Sequence, residues 1–254
     1  MSNNNLKTYN SAAVVKWYEE LDTITEVEKS VFENNKEIIS SSNLLDIGIG
    51  GGRTTRYLID KCKNYTGIDY SQGFVNSAKK KYPLADLRFM DARNLASFEE
   101  NSFGFVNFSF NGIDYVNLDD RIKILHEINR VLKPGGVFFF STHNKEHPSF
   151  NKFPWLSNIN TFFTNLKTFL KLIPHLPKHF TQKRAEIFSE DYAIINDSAH
   201  NFKLLTFYTS SDFLKKQLTN AGFISIELLL KNGSLTTNNK LDDWIFVTCK
   251  KSLT

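Results

Sequence analysis

Residues 44–53, Leu-Leu-Asp-Ile-Gly-Ile-Gly-Gly-Gly-Arg, put an acid and four glycines at the end of a short apolar run. Glycine reaches backbone angles that other residues resist, and it lets a ligand come close to the main chain. The order of residues predicts a buried strand, a tight turn and a helix start, with Asp46, Gly48, Gly50 and Gly52 as candidate binding positions. Asp69 follows nineteen positions after Gly50, at the end of the run Tyr65–Ile68. An ionised carboxylate offers two acceptor oxygens, which suits two vicinal sugar hydroxyls. A gap of about twenty residues between a glycine turn and a ribose-binding acid is the expected spacing. Farther on, Asn111, Asp114 and Tyr115 stand just past the apolar run 102–110, and His143 stands just past 137–141. In open α/β sheets, ligands bind outside the carboxyl ends of the strands.

Dinucleotides and S-adenosylmethionine both use such a turn. The dinucleotide fingerprint needs Gly-x-Gly-x-x-Gly. Counted from Gly48 or Gly50, its third glycine would fall at 53 or 55, where Arg53 and Thr55 stand. The pattern present is Asp-x-Gly-x-Gly-x-Gly, which resembles the glycine-rich signature of class I S-adenosylmethionine-dependent methyltransferases. Residues 127–136, Glu-Ile-Asn-Arg-Val-Leu-Lys-Pro-Gly-Gly, precede an apolar strand and are similar to a second feature of that family. The resemblance covers residues 43–143 closely and the remainder loosely. The family often carries Phe-Asp-x-Val in its fourth strand, and Gly104 replaces that acid here.

The resemblance implies a Rossmann-like, doubly wound α/β sheet of seven strands in the order 3-2-1-4-5-7-6, the last antiparallel. It implies S-adenosylmethionine as cofactor, leaving as S-adenosylhomocysteine. Asp69 would hold the ribose, Asp91 would accept from the adenine amino group, and the Ala92 N–H would meet a ring nitrogen. Tyr70 and Phe108 would complete the cofactor site. Helices before the first strand would fold over its mouth, bringing Tyr9, Trp17 and Tyr18 near, though Trp17 reads better as a core aromatic. Methyl transfer from a sulfonium is an in-line displacement, so the protein mainly positions two reactants. A base helps when the acceptor carries a proton. His143 is the first candidate base and Asp114 the second. Tyr18, Asn111, Tyr115, Tyr192 and His200 are candidates for the acceptor pocket.

Some acceptors are disfavoured. Nucleobase amino methylation uses an acid or Asn followed by two prolines after strand four, but residues 107–110 read Asn-Phe-Ser-Phe. Cytosine C5 methylation needs a cysteine near strands four or five, and Cys62 and Cys249 lie elsewhere. A small metabolite methylated at O, N or C is the leading expectation. RNA methylation and a non-catalytic cofactor-binding protein are the alternatives, and no nucleic-acid partner is favoured.

The elements that must position these groups follow from the rest of the chain. Its 254 residues suit one domain with a sizeable core. We read it as a helical cap (1–42), a cofactor core (43–143), a helical lid insertion (144–209) and the end of the sheet (210–254). The Asn-rich residues 1–10 read as loose, without a signal peptide or a membrane span. The two cysteines fit neither metal nor redox spacing, and a reducing, cytoplasmic setting is expected. Asp22 or Thr23 is placed to cap a second helix. Leu118, Ile122, Leu125, Ile128 and Leu132 form an apolar helical stripe, with Arg121 among the charges on its other faces. A second stripe is Phe162, Phe163, Leu166, Phe169, Leu170 and Ile173. From Ser149 to Ala185 there is no acid but there are six cations. Such a lid suits an anionic or partly apolar small molecule or a membrane surface; a core-packing helix with solvated lysines is the alternative.

Overall fold

The computed structural model describes residues 3–153, 162–237 and 240–253. The side chains of Phe162 and Phe163 lie outside the described residues. Strand β1 (Asn43–Ile47) is central. It pairs in parallel with β2 (Asn64–Asp69) on one side and β4 (Phe103–Phe108) on the other. Outside them lie β3 (Asp86–Phe89) and β5 (Leu132–Asn144), also parallel. Three short strands come next in the chain: β6 (Ile187–Phe188), β7 (Tyr192–Ile195) and β8 (Thr206–Thr209). Beyond β5 sits β10 (Trp244–Lys251), antiparallel both to β5 and to the outer β9 (Phe223–Leu229). Counted without β6–β8, the order is 3-2-1-4-5-7-6 with an antiparallel last strand, as expected.

Both faces of this sheet are covered, so its strands are apolar on alternate residues in both directions. Leu45, Val106, Phe138 and Phe140 face a layer that includes Ile124, Leu125, Ile128, Leu214 and Leu218. These come from α7 (Leu118–Val131) and α10 (Ser211–Asn220). Leu44, Phe105, Val137 and Phe139 face the opposite layer. That layer is built from α3 (Glu26–Asn34), α4 (Lys36–Ser41), α5 (Arg53–Leu58) and α6 (Gln72–Lys81). Each of Phe138, Phe139 and Phe140 is fully buried, worth ~1.5–3 kcal/mol apiece. Gly104 is required by this packing, since a Cβ there would lie 2.3 Å from Ser42 Oγ, just past α4.

Several expectations change. Residues 3–9 are a helix, α1 (Asn3–Tyr9), and Asn5 is buried. Its amide donates to the carbonyls of Tyr115 and Leu205 and accepts from the Leu205 N–H. Composition could not reveal that an asparagine amide closes a buried junction. Trp17, on α2 (Ala12–Glu19), is 49% exposed at a cleft rather than in the core. The cap of α3 is Thr25, in a reciprocal box with Glu28, not Asp22 or Thr23. On α7 the buried stripe is Ile124, Leu125, Ile128 and Val131, while Ile122 is exposed and Arg121 is fully buried.

The span 144–209 holds helices α8 (Phe162–Leu172) and α9 (Leu176–Gln182), but also the three short strands. These form an antiparallel meander. Its last strand, β8, pairs in parallel with β5 at His143 and Asn144. β10 already occupies one edge of β5 as far as His143. β8 therefore takes the other edge, which β4 vacates after Phe140. Among the described residues, no helix is long and apolar enough to cross a membrane.

Candidate active site

The turn after β1 is held by its neighbour strand, the N–H groups of Gly48 and Ile49 both donating to the Ile68 carbonyl at 2.8 and 3.2 Å. Gly50 has φ +53°, in the left-handed region that favours glycine. Gly51 is required by crowding: a Cβ there would lie 2.2 Å from the Tyr18 carbonyl oxygen of α2. The Gly50 N–H donates to Asp69 Oδ2 at 3.0 Å, and the Ser71 N–H donates to Asp69 Oδ1 at 2.8 Å. The carboxylate at the end of β2 is thus tied to the glycine turn, with acceptor capacity left on each oxygen.

These groups line one cleft. Gly48, Gly50, Asp69, Tyr70, Asp91, Ala92, Phe108, Tyr18 and Tyr115 all face it. Asp46 and Gly52 do not line it. Asp46 is fully buried and accepts from Thr54 Oγ1, Tyr65 OH and Asn107 Nδ2 at 2.7, 2.6 and 2.6 Å. It braces the turn from behind. Gly52, at φ +87°, starts α5 against the Tyr82 ring. Asp91 is already engaged: both its oxygens accept from Arg93, which also reaches Asp120. Burial pushes its carboxyl up, but the guanidinium outweighs this and holds it below the usual range.

One charged cleft residue was not singled out from the sequence. Arg53 projects from the first turn of α5 into the cleft. Its guanidinium makes a bidentate pair with Glu28 at 2.5 and 2.6 Å, reaches Ser109 Oγ at 3.3 Å and lies 4.7 Å over the Phe110 ring. This pair bolts α3 to the glycine turn. The signal was the charge following the last glycine, together with a capping glutamate.

A second cleft shares Tyr18, Phe110 and Tyr115 with the first. His143, Asn111, His200, Trp17 and Trp244 line it. Phe110 and Asn111 both have left-handed backbones, φ +60° and +59°. Two consecutive non-glycine residues there carry strain, which clusters at ligand sites. The Asn111 N–H donates to Ser141 Oγ at 2.9 Å, which fixes the turn on β5.

His143 is held from below. Asp114 Oδ2 accepts from both the His143 backbone N–H and ring Nδ1, each at 2.7 Å. Asp114 Oδ1 accepts from Arg121 Nη1 and Thr142 Oγ1, each at 2.6 Å. Asp114 and Arg121 are fully buried. A carboxylate only accepts, so in the neutral ring Nδ1 carries the hydrogen and Nε2, 3.2 Å from Asn111 Nδ2, the lone pair. Asp114, expected as a second base, therefore lies behind His143 with all its near partners satisfied. Tyr192 is not in either cleft; its ring stacks on Phe207 and Phe213 at 5.1 and 5.7 Å.

A doubly wound sheet whose first glycine turn faces an acid at the end of the second strand defines an adenosyl-cofactor enzyme. Residues 45–140 match the model of the methyltransferase domain family. A demethylmenaquinone methyltransferase of Staphylococcus aureus is 30% identical over 191 residues, covering 72% of this chain and 68% of that protein. A probable S-adenosylmethionine-dependent methyltransferase of Mycolicibacterium smegmatis is 28% identical over 115 residues, 45% of this chain and 43% of that protein. A Burkholderia thailandensis 1,6-didemethyltoxoflavin-N1-methyltransferase, solved with 1,6-didemethyltoxoflavin and S-adenosylhomocysteine, superposes with a TM-score of 0.57 at 13% identity. That superposition covers 98% of this chain and 86% of the other. The chain belongs to the S-adenosylmethionine-dependent methyltransferases.

The cleft fits that cofactor. Gly48 and Gly50 leave the main chain bare, Asp69 keeps free acceptor positions, and the buried Tyr70 hydroxyl has no partner among the described residues. Burial pushes the Asp69 carboxyl up to about 6, over the opposing pull of the Ser71 and Gly50 N–H groups. The ionised form is the one that would accept from ribose hydroxyls. Between an unfolded value near 4 and about 6, the free protein keeps a proton that the unfolded chain has lost. The free protein's stability therefore falls as pH rises through that window. Cofactor binding runs the other way: below pH 6 the proton must first leave. Titration calorimetry is expected to give an affinity about ten-fold weaker at pH 5 than at pH 7.5; a flat profile would place the ribose elsewhere.

Proposed function

We propose that this chain methylates a small molecule at a hydroxyl, or at an atom made nucleophilic by losing a hydroxyl proton, with His143 as base. When bound, S-adenosylmethionine supplies an electrophilic methyl group. The observation that carries this reading is the His143 ring, oriented by Asp114 so that Nε2 is the proton acceptor. The acceptor's hydroxyl takes the place of Asn111 Nδ2 and gives its proton to Nε2. Gly48, Gly50 and Asp69 would hold the cofactor that supplies its methyl group to the acceptor atom so activated. The imidazolium so formed is stabilised by Asp114, which Thr142 and Arg121 hold in place.

The acceptor pocket is walled by Trp17, Tyr18, Phe110, Tyr115 and Trp244. Such walls suit a flat apolar ring. A phenol or hydroquinone meets both requirements, and it can be methylated at oxygen or at the adjacent ring carbon. The similarity to a demethylmenaquinone methyltransferase supports an acceptor of this chemistry. The test is incubation with methyl-labelled cofactor and a panel of phenols, hydroquinones and aromatic amines. Label is expected in the hydroxylated rings. Cofactor binding with no label in any of them would make the chain a binding protein of the same fold.

A further inference from the structure

Residues 166–188 combine exposed apolar side chains with positive charge. Leu166, Leu170, Ile173, Phe180, Ile187 and Phe188 are 41–60% exposed. They are six of the fifteen large apolar side chains exposed among the described residues, within 23 positions of the chain. Leu166, Leu170 and Ile173 recur at four and three, which puts them along one side of α8 and the turn that follows it. Lys167 and Lys171 run beside that row, and Lys178, Lys183 and Arg184 follow on α9 and its end; all five are exposed.

The charge is not a by-product of a lysine-rich composition. Residues 149–185 carry six cations and no acid; taking those six from the chain's 31 leaves 25 against 27 acids. The rest of the protein is thus net −2, and this segment alone makes the chain basic. Exposed leucine and phenylalanine beside lysine is what an interfacial surface requires, the rings entering the acyl boundary and the cations meeting headgroups. Nucleic acid would use the cations and leave the aliphatic row in water. The face is also continuous with the acceptor cleft: Thr168, Lys171 and Leu172 of α8 line that cleft.

We propose that this face, Leu166–Phe188, docks the protein on an anionic lipid bilayer, with the acceptor cleft opening beside the membrane. The docking stands on these residues alone; the delivery of an apolar acceptor from the bilayer rests on the function proposed above.

The experiment is co-sedimentation of the full chain with vesicles of phosphatidylcholine containing half phosphatidylglycerol, against vesicles of phosphatidylcholine alone. Partitioning is expected to be at least ten-fold stronger on the anionic vesicles and to weaken with salt. Each cation brought to such a surface contributes about five-fold, so Lys167→Gln/Lys178→Gln/Arg184→Gln is expected to lose about 100-fold. Leu170→Ser/Phe180→Ser is expected to lose at least ten-fold. Both variants change only exposed side chains, and their thermal unfolding and cofactor affinity report that the fold is intact. Equal partitioning on the two vesicle types would overturn the proposal. So would binding that duplex DNA competes away and the Leu170→Ser/Phe180→Ser pair leaves unchanged, which would assign the face to a polyanion.

Discussion

Asp69→Ala is expected to raise the dissociation constant for S-adenosylmethionine at least 100-fold in titration calorimetry. In the native protein each oxygen of Asp69 accepts one backbone N–H, from Gly50 and Ser71, and keeps room for a ribose hydroxyl. A hydrogen bond to a charged group is worth ~1.5–3 kcal/mol, so losing two corresponds to a factor of roughly 10²–10⁴. The alanine also orphans two N–H groups at the turn, which loosens the glycine cradle itself. Asp69→Asn keeps one acceptor oxygen and should fall between the two. Affinity within three-fold of native for Asp69→Ala would remove the ribose from this position.

Asp69 was legible because it is a local fact: an acid ending one strand, at a fixed distance from a glycine turn ending the strand beside it. The same holds for the buried strand, tight turn and helix start expected around residues 44–53, which β1, the glycine turn and α5 supply. What could not be read was the far side of each polar group. Arg121 looks like a solvated charge on α7, because nothing nearby in sequence says that Asp114 and Thr142 will meet it in the core. Asn5 looks like part of a loose terminus, because its partners lie 110 and 200 positions away. Tyr192 has the right chemistry for a pocket, but β7 turns it toward Phe207 and Phe213. Periodicity assigns a residue to a face of its own element; only the meeting of elements decides what that face touches.

The second large effect concerns the pair behind the imidazole. His143→Gln is expected to lower turnover by about 10²–10⁴, the usual range for a positioned base, and to leave cofactor affinity unchanged. Asp114→Ala should cost more than catalysis. It leaves Arg121 fully buried without its carboxylate, and removing one partner of such a pair costs ~3–5 kcal/mol. For a chain of this size each kcal/mol moves the unfolding temperature by about 2–4 °C, so a fall of roughly 6–20 °C is expected by calorimetry. Asp114→Asn keeps the size but loses the charge, and should separate the two roles. If Asp114 positions the base, this variant lowers turnover and shifts its pH profile while keeping much of the stability. An unchanged pH profile in Asp114→Asn would leave Asp114 a purely structural anchor.

The fork in the sheet has a consequence for engineering. β5 hands its lower edge to β4 and its last two residues to β8, so His143 sits just past the fork, paired with Tyr208 of β8 on one side and Trp244 of β10 on the other. The stretch between β5 and β8 begins and returns at that one strand. A chimera that exchanges residues 145–207 for the equivalent stretch of another family member would leave the glycine cradle and Asp69 untouched. It would need to preserve the register of His143 with Tyr208 and of Asn144 with Thr209, and the backbone at 205 that Asn5 bonds. Only the Thr168, Lys171 and His200 side of the acceptor cleft would move with the graft; His143 and the walls Trp17, Tyr18, Phe110, Tyr115 and Trp244 would stay, so acceptor choice should change in part while cofactor affinity stays with the recipient.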